Sequence, residues 1–211
     1  DEAVGTFGTS NKLDRGQISI RLLLSAPYHM KGLLSEVSDV GISFRSGGGA
    51  LADHMTAGNR LVFQMNLSYI NGFSQDLATD EVVTYPCSGT SNTVIALKGE
   101  DPNPVPGRNL QEQPLGQPVF IRSRIGSTLT ISSVSMVSVH NNASVVMRET
   151  ITEANDPIGP CYSGCFRKNE AYAIPDRPLT ENTNYRVIIT GYVDGVAFSK
   201  EFTFSTGEDT T

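Results

Sequence analysis

The stretch LLLSAPYHMKGLLSEVSDVGISF, residues 22–44, decides how the fold is read. Ile18, Leu22 and Ser25 follow helical spacing and stop before Pro27, whose ring disfavours helix in the residue ahead of it. Met30, Leu33 and Leu34 repeat the pattern for a second short helix, and Val40, Ile42 and Phe44 then alternate as a strand. Downstream, the three glycines of SGGGALADHMTAGN resist regular structure. After them Leu61, Phe63, Met65, Leu67 and Tyr69 alternate, which predicts a second strand antiparallel to the first. Upstream, residues 1–16 are small and polar with no period and read as coil.

From Val82-Val83-Thr84-Tyr85-Pro86 onward the rhythm is all-β. Val119–Arg124, Ser127–Ile131, Val134–Val139, Val145–Arg148, Glu170–Ile174, Asn184–Gly191 and Ala197–Ser205 read as strands with turn residues between them. That is what a two-sheet sandwich of immunoglobulin or fibronectin type III kind requires. Tyr185, Val187 and Ile189 alternate, Asp194-Gly195 supplies the two positive-φ residues of a tight hairpin, and Phe198, Phe202 and Phe204 return on the partner strand. The prolines of EDPNPVPGR predict an extended segment along a sheet edge. The expected fold class is α+β, with a first unit at 1–81 and a β-sandwich at 82–211.

Composition narrows the function classes. Formal net charge is −6 with 18% charged residues and no basic stripe, which argues against a nucleic-acid partner. No apolar run approaches the roughly 20 residues that cross a bilayer. The opening DEAVGTFGTS lacks the basic and apolar regions of a signal peptide, as a mature or trimmed product would. Abundant Gly, Ser, Thr, Asn and Val without Trp is the composition of extracellular all-β modules. Of three cysteines, Cys161 and Cys165 share the loop CYSGC and can close a small ring with Cys87 left as a buried thiol; Cys87 pairing with either stays open, as do three plain thiols. The spacing fits neither a zinc finger nor a haem attachment site.

Catalytic sets do not assemble in the sequence. Ser88, Ser127 and Ser132 stand outside a nucleophile elbow, and the glycines at 47–49 open no helix and lack the Lys of a phosphate loop. His54 lies in the Gly-rich loop and His140 in a turn, HNN. Glu149, Glu153, Asn155 and Asp156 lack the spacing of a twelve-residue calcium loop and read as a solvated acidic loop. Asn66-Leu-Ser and Asn142-Ala-Ser match the glycosylation triplet, although Asn66 falls inside a predicted strand.

The run SAPYHMKGLLSEVSDVGISF resembles the second half of bacterial CAP (SCP) domains, the superfamily of cysteine-rich secretory, antigen 5 and pathogenesis-related 1 proteins. In these a helix leads into Ser-Pro-x-His-Arg, a helical turn and a Val-Gly-x-Gly strand. Met30 stands where the family has Arg, and Ser43 where it often has Gly. TYPCSGTSNTV, EDPNPVPG and the closing IPDRPLTENTNYRVIITGYVDGVAFSKEFTFSTG resemble a companion region that follows such domains in exported bacterial proteins. The resemblance implies a partial CAP-like α/β layer at 1–81, a companion immunoglobulin-like domain, and an exported or cell-surface address. It implies one metal-ligand candidate, His29, without the other His and Glu of the family's cavity, so no cofactor and no catalytic residue is expected.

Because two strands and two short helices cannot cover both faces of a sheet, either the sandwich docks against these strands or the missing cover comes from elsewhere; the first unit is expected to self-associate or to take a protein partner. The favoured function is a non-enzymatic structural or adhesive module. The alternative is a metal-dependent hydrolase or a lipid or small-molecule binder, with the missing residues supplied from elsewhere.

Overall fold

The structure is a computed structural model that describes residues 2–5, 12–35, 37–46, 61–68, 77–159 and 166–209. In chain order these form β1 (Glu2–Gly5), α1 (Lys12–Leu23), α2 (Pro27–Leu33), β2 (Asp39–Ser46) and β3 (Leu61–Ser68). There follow β4 (Val83–Tyr85), β5 (Ala96–Leu97), β6 (Leu115–Gly116), β7 (Val119–Arg122), β8 (Leu129–Ser138) and β9 (Ile151–Thr152). The last three are β10 (Glu170–Ala173), β11 (Asn184–Val193) and β12 (Val196–Ser205).

Two antiparallel sheets, in the orders β4-β7-β10-β9 and β12-β11-β8, enclose the main core. Side chains alternate across a strand, so β11 sends Tyr185, Val187, Ile189 and Val193 inward, where they meet Val119 and Ile121 of β7 and Ala171 and Ala173 of β10. β11 and β12 pair from Asn184↔Ser205 to Val193↔Val196 across Asp194 and Gly195, both at positive φ (50° and 82°), as the two-residue hairpin reading predicts. The sequence reading divided β8 into two strands; it is a single strand with a bulge. Its partners on β11 run Thr190↔Ser133 and then Gly191↔Ile131, leaving Ser132 unmatched. The extra residue switches parity, so Leu129 and Ile131 face the core on one side of the bulge and Val134 and Met136 on the other.

β7 and β10 are apolar on both faces. Their second face presents Phe120, Tyr172 and, just past β10, Ile174, which join Leu97 and Leu115 in a second core. Such a face requires a cover. The cover is the segment around α2, which inserts Ala26, Tyr28 and a fully buried Met30. Burying the Met30 side chain contributes roughly 1.5–3 kcal/mol.

These contacts overturn the α+β expectation of a partial CAP-like α/β layer ahead of an immunoglobulin-like sandwich. The described chain is essentially all-β, twelve strands in four small sheets with two short helices. α2 does not build a layer on the β1-β3-β2 sheet; it packs on the sheet containing β7. Beside β3 the described residues form a small cluster, in which Leu23 and Met65 are buried and Ile20, Leu33 and Leu67 partly so. β2 and β3 do pair antiparallel, from Asp39↔Ser68 to Ser46↔Leu61, but among the described residues of 1–16, expected as coil, 2–5 form β1 on the other edge of β3 and those from Lys12 begin α1.

Candidate functional site

A gathering of titratable side chains, among them Tyr28, His29, Glu100, Asp156 and Tyr172, lies in the seam between α2 and the β7–β10 sheet. Its origin is a helix that cannot cap itself. Ala26 occupies the N-cap position and offers no side-chain acceptor, and Pro27 has no N–H, so the amides of Tyr28 and His29 need oxygens from elsewhere. Glu100 supplies them across more than 70 residues of chain: its Oε1 accepts from Tyr28 N at 2.7 Å and His29 N at 3.1 Å, and lies 3.2 Å from His29 Nδ1.

The C-terminal ends of both helices are held in the same way. Arg122 Nη1 donates to the carbonyl of Leu34, the C-cap of α2, at 2.8 Å, and Gln117 Nε2 donates to Leu24 O, just past α1, at 2.8 Å. A carboxylate at the start of α2 and a guanidinium at its end match the sign of the helix dipole. Lys31, in the last turn, adds an ion pair to Glu170 Oε2 at 3.2 Å.

A second carboxylate anchors the aromatic part of the seam. Asp156 is buried, accepts the Tyr28 hydroxyl at 2.8 Å and Ile158 N at 3.1 Å on Oδ1, and accepts Phe166 N at 3.1 Å on Oδ2. Tyr28 stacks on Phe166 with centroids 5.1 Å apart; Tyr172 follows at 4.8 Å from Phe166 and 4.9 Å from Phe120. Burial, and after it the bond to Asp156, pushes the Tyr28 phenol up. Burial also pushes Tyr172 well up, reinforced by Glu170 and Glu100. The Glu100 carboxyl, whose side chain is 0% exposed, is raised by burial, partly opposed by its bonds from His29 and Tyr28.

Among the described residues, Glu100 Oε2 and Tyr172 Oη are buried without a hydrogen-bond partner. An unpaired buried hydroxyl costs stability. Tyr172→Phe, which keeps the ring stacking, is therefore expected to leave the unfolding free energy unchanged or to raise it by up to about 1 kcal/mol. Urea denaturation followed by circular dichroism reads this directly. A loss instead would mean that the hydroxyl is bonded in solution.

The sequence-derived candidates are placed as follows. His29 sits in the seam with its side chain 31% exposed and its ring on Glu100. Among the described residues no three His, Cys, Asp or Glu groups are arranged to hold a metal ion. Cys161, Cys165 and His54 lie outside the described residues. Cys87, expected as a buried thiol, is exposed, because the chain turns outward directly after β4 and its thiol lies against Thr90 Oγ1 at 3.2 Å. Asp156 corrects the solvated-loop reading, while Glu149 and Glu153 of the same loop are exposed. Asn142 is exposed in a turn at φ 54°, and Asn66 is exposed within β3. His140 lines an open groove of about 880 Å³ between the 138–146 turn and residues 177–185, together with Asn141, Arg177, Thr180 and Asn184.

Glu100, Arg122, Gln117 and Tyr172 were not singled out by sequence, and Asp156 was read there only as part of a solvated loop. The one usable signal was the helix start Ser25-Ala26-Pro27, whose N-cap residue lacks an oxygen and so demands a distant acceptor. No protein-family model matches the chain, and no curated protein matches it.

Proposed function

We propose that this chain is a non-enzymatic structural or adhesive module of an exported or cell-surface protein. The observation that carries the reading is how the seam uses its chemistry-bearing groups. Glu100 Oε1 and both oxygens of Asp156 accept main-chain amides, and Arg122 and Gln117 donate to main-chain carbonyls. Groups bound to backbone in this way fasten two parts of one chain together. The small, hydroxyl-rich composition and the absence of Trp support the exported address.

Hydrogen exchange tests the structural role. The amides of Tyr28 and His29 are expected to exchange as slowly as those of β7 and β10 under native conditions. Exchange at α2 faster by several orders of magnitude than in these strands would overturn the reading, since a fastening joint cannot open independently. The address is checked by treating intact source cells with a membrane-impermeant amine reagent. The chain is expected to be labelled before lysis, and labelling only after lysis would count against export.

A further inference from the structure

We infer that β2 is a docking edge for a second copy of this chain, the two strands pairing antiparallel about a two-fold axis through Ile42. The inference rests on the structural-module reading and names the surface through which that module self-associates.

β2 stands at the end of the order β1-β3-β2, so one of its edges has no neighbour among the described strands. Five consecutive residues, Asp39–Ser43, are exposed, on both faces of the strand. Two of them are apolar and β-branched: Val40 at 52% and Ile42 at 50%. Their cross-strand neighbours Leu67 and Met65 are drawn into the cluster with Leu23, so the apolar face of the sheet stops short of its last strand. Natural edge strands are blunted by proline, by charged side chains and lysine above all, by bulges, or by being very short. Residues 39–46, DVGISFRS, contain neither proline nor lysine, their two charges, Asp39 and Arg45, stand toward the ends, and a Cβ at Gly41 would meet only Asn66 Cβ, in ordinary van der Waals contact at 3.9 Å. A glycine at such a point lets another backbone approach closely.

The sequence of β2 selects the occupant. When the strand is laid antiparallel against itself with Ile42 opposite Ile42, Gly41 falls opposite position 43, Val40 opposite position 44 and Asp39 opposite position 45. Position 45 is an arginine, so each end of the pair sets an acidic residue against a basic one, twice by symmetry, with apolar residues between them. An unrelated strand carries no such built-in complementarity.

Light scattering on the full chain across a micromolar concentration series tests this. The wild type is expected to reach twice its chain mass. Ile42→Lys, which sets two like charges on the axis, is expected to weaken the dimer at least tenfold. Asp39→Arg or Arg45→Asp alone is expected to weaken it, and the double variant D39R/R45D to restore it. An unchanged circular dichroism spectrum and melting temperature for each variant keep misfolding apart from loss of pairing. A monomeric wild type, a dimer that survives Ile42→Lys, or a double variant that stays weak would each overturn the pairing. If α2 remains protected in exchange while the dimer is absent, the edge pairing falls and the module reading stands; loss of α2 protection sinks the reading itself.

Discussion

Replacing Glu100 by alanine is expected to lower the unfolding free energy by about 2–3 kcal/mol and to release the helical segment from the sheet before the main core melts. The substitution leaves the amides of Tyr28 and His29 without their acceptor beneath a packed helix start. Bonds to a charged acceptor are worth roughly 1.5–3 kcal/mol each, and relief of a buried carboxylate with one unpaired oxygen returns about 1–3 kcal/mol, which centres the net for two lost bonds near 2–3 kcal/mol. Glu100→Gln keeps the accepting oxygen and the shape, so its cost is expected near 1 kcal/mol. Urea unfolding gives the total, and exchange at residues 28–34 shows where the opening occurs. Equal losses for the two variants would mean that the carboxylate acts through its charge alone.

The same residue has a pH signature of known sign. Burial raises the folded Glu100 carboxyl above its ordinary value of 4.5. Between 4.5 and the folded value the native state binds more protons than the unfolded one, so this group's contribution falls as pH rises through that window. The stability of the wild type relative to Glu100→Gln is therefore expected to grow on acidification through the folded value toward the ordinary value of 4.5. Asp176 works in the opposite sense. Hydrogen bonds from Arg148 at 2.7 Å and Arg108 at 2.8 Å hold it below the usual carboxylate range, so its contribution is present above its ordinary pKa and lost as pH falls through the folded value. The variant difference cancels that second effect.

What was legible in the sequence was local. The alternation of Tyr185, Val187 and Ile189 with Asp194-Gly195 behind it specifies a hairpin within one stretch of chain, and the structure has it. Pro27 and the Met30–Leu34 spacing specify a short helix, yet nothing in either says which sheet that helix will cover. The pattern that could have told is in β7 and β10, where Val119-Phe120-Ile121 and Ala171-Tyr172-Ala173-Ile174 are apolar without alternation. A strand of that kind is buried on both faces and requires a layer on each. The seam was illegible for a different reason: Glu100 reaches α2 through space, and its role depends on what Ala26 lacks rather than on any spacing of its own. Asp156 misled because an acidic loop looks solvated until the aromatic residues it serves, Tyr28 and Phe166, are brought beside it by the fold.

Among the described glycines, Gly191→Ala is expected to be the most damaging added methyl, costing about 3 kcal/mol or more. Glycine to alanine at an unstrained site stabilises by roughly 0.4–1 kcal/mol through the unfolded state, so the sign here depends on space. Gly191 is buried in β11 opposite the bulge, and its cross-strand neighbour on β12 is Phe198. A Cβ there would fall on the carbonyl oxygen of Thr130, far inside van der Waals contact, and 2.9 Å from Phe198 Cε1. The phenyl ring can tilt, but the carbonyl belongs to β8 and can move only if the bulge is undone. Undoing the bulge restores a single parity along β8 and turns either Leu129 and Ile131 or Val134 and Met136 away from the core. Gly99→Ala serves as the control. Its Cβ would meet only Gln111 Nε2 at 3.1 Å, the free end of a flexible side chain that can swing aside, and its effect is expected to stay within about 0.5 kcal/mol. Paired urea denaturation curves decide the matter. Equal, small shifts for the two variants would show that β8 accommodates the methyl and that the bulge is not what demands glycine at 191.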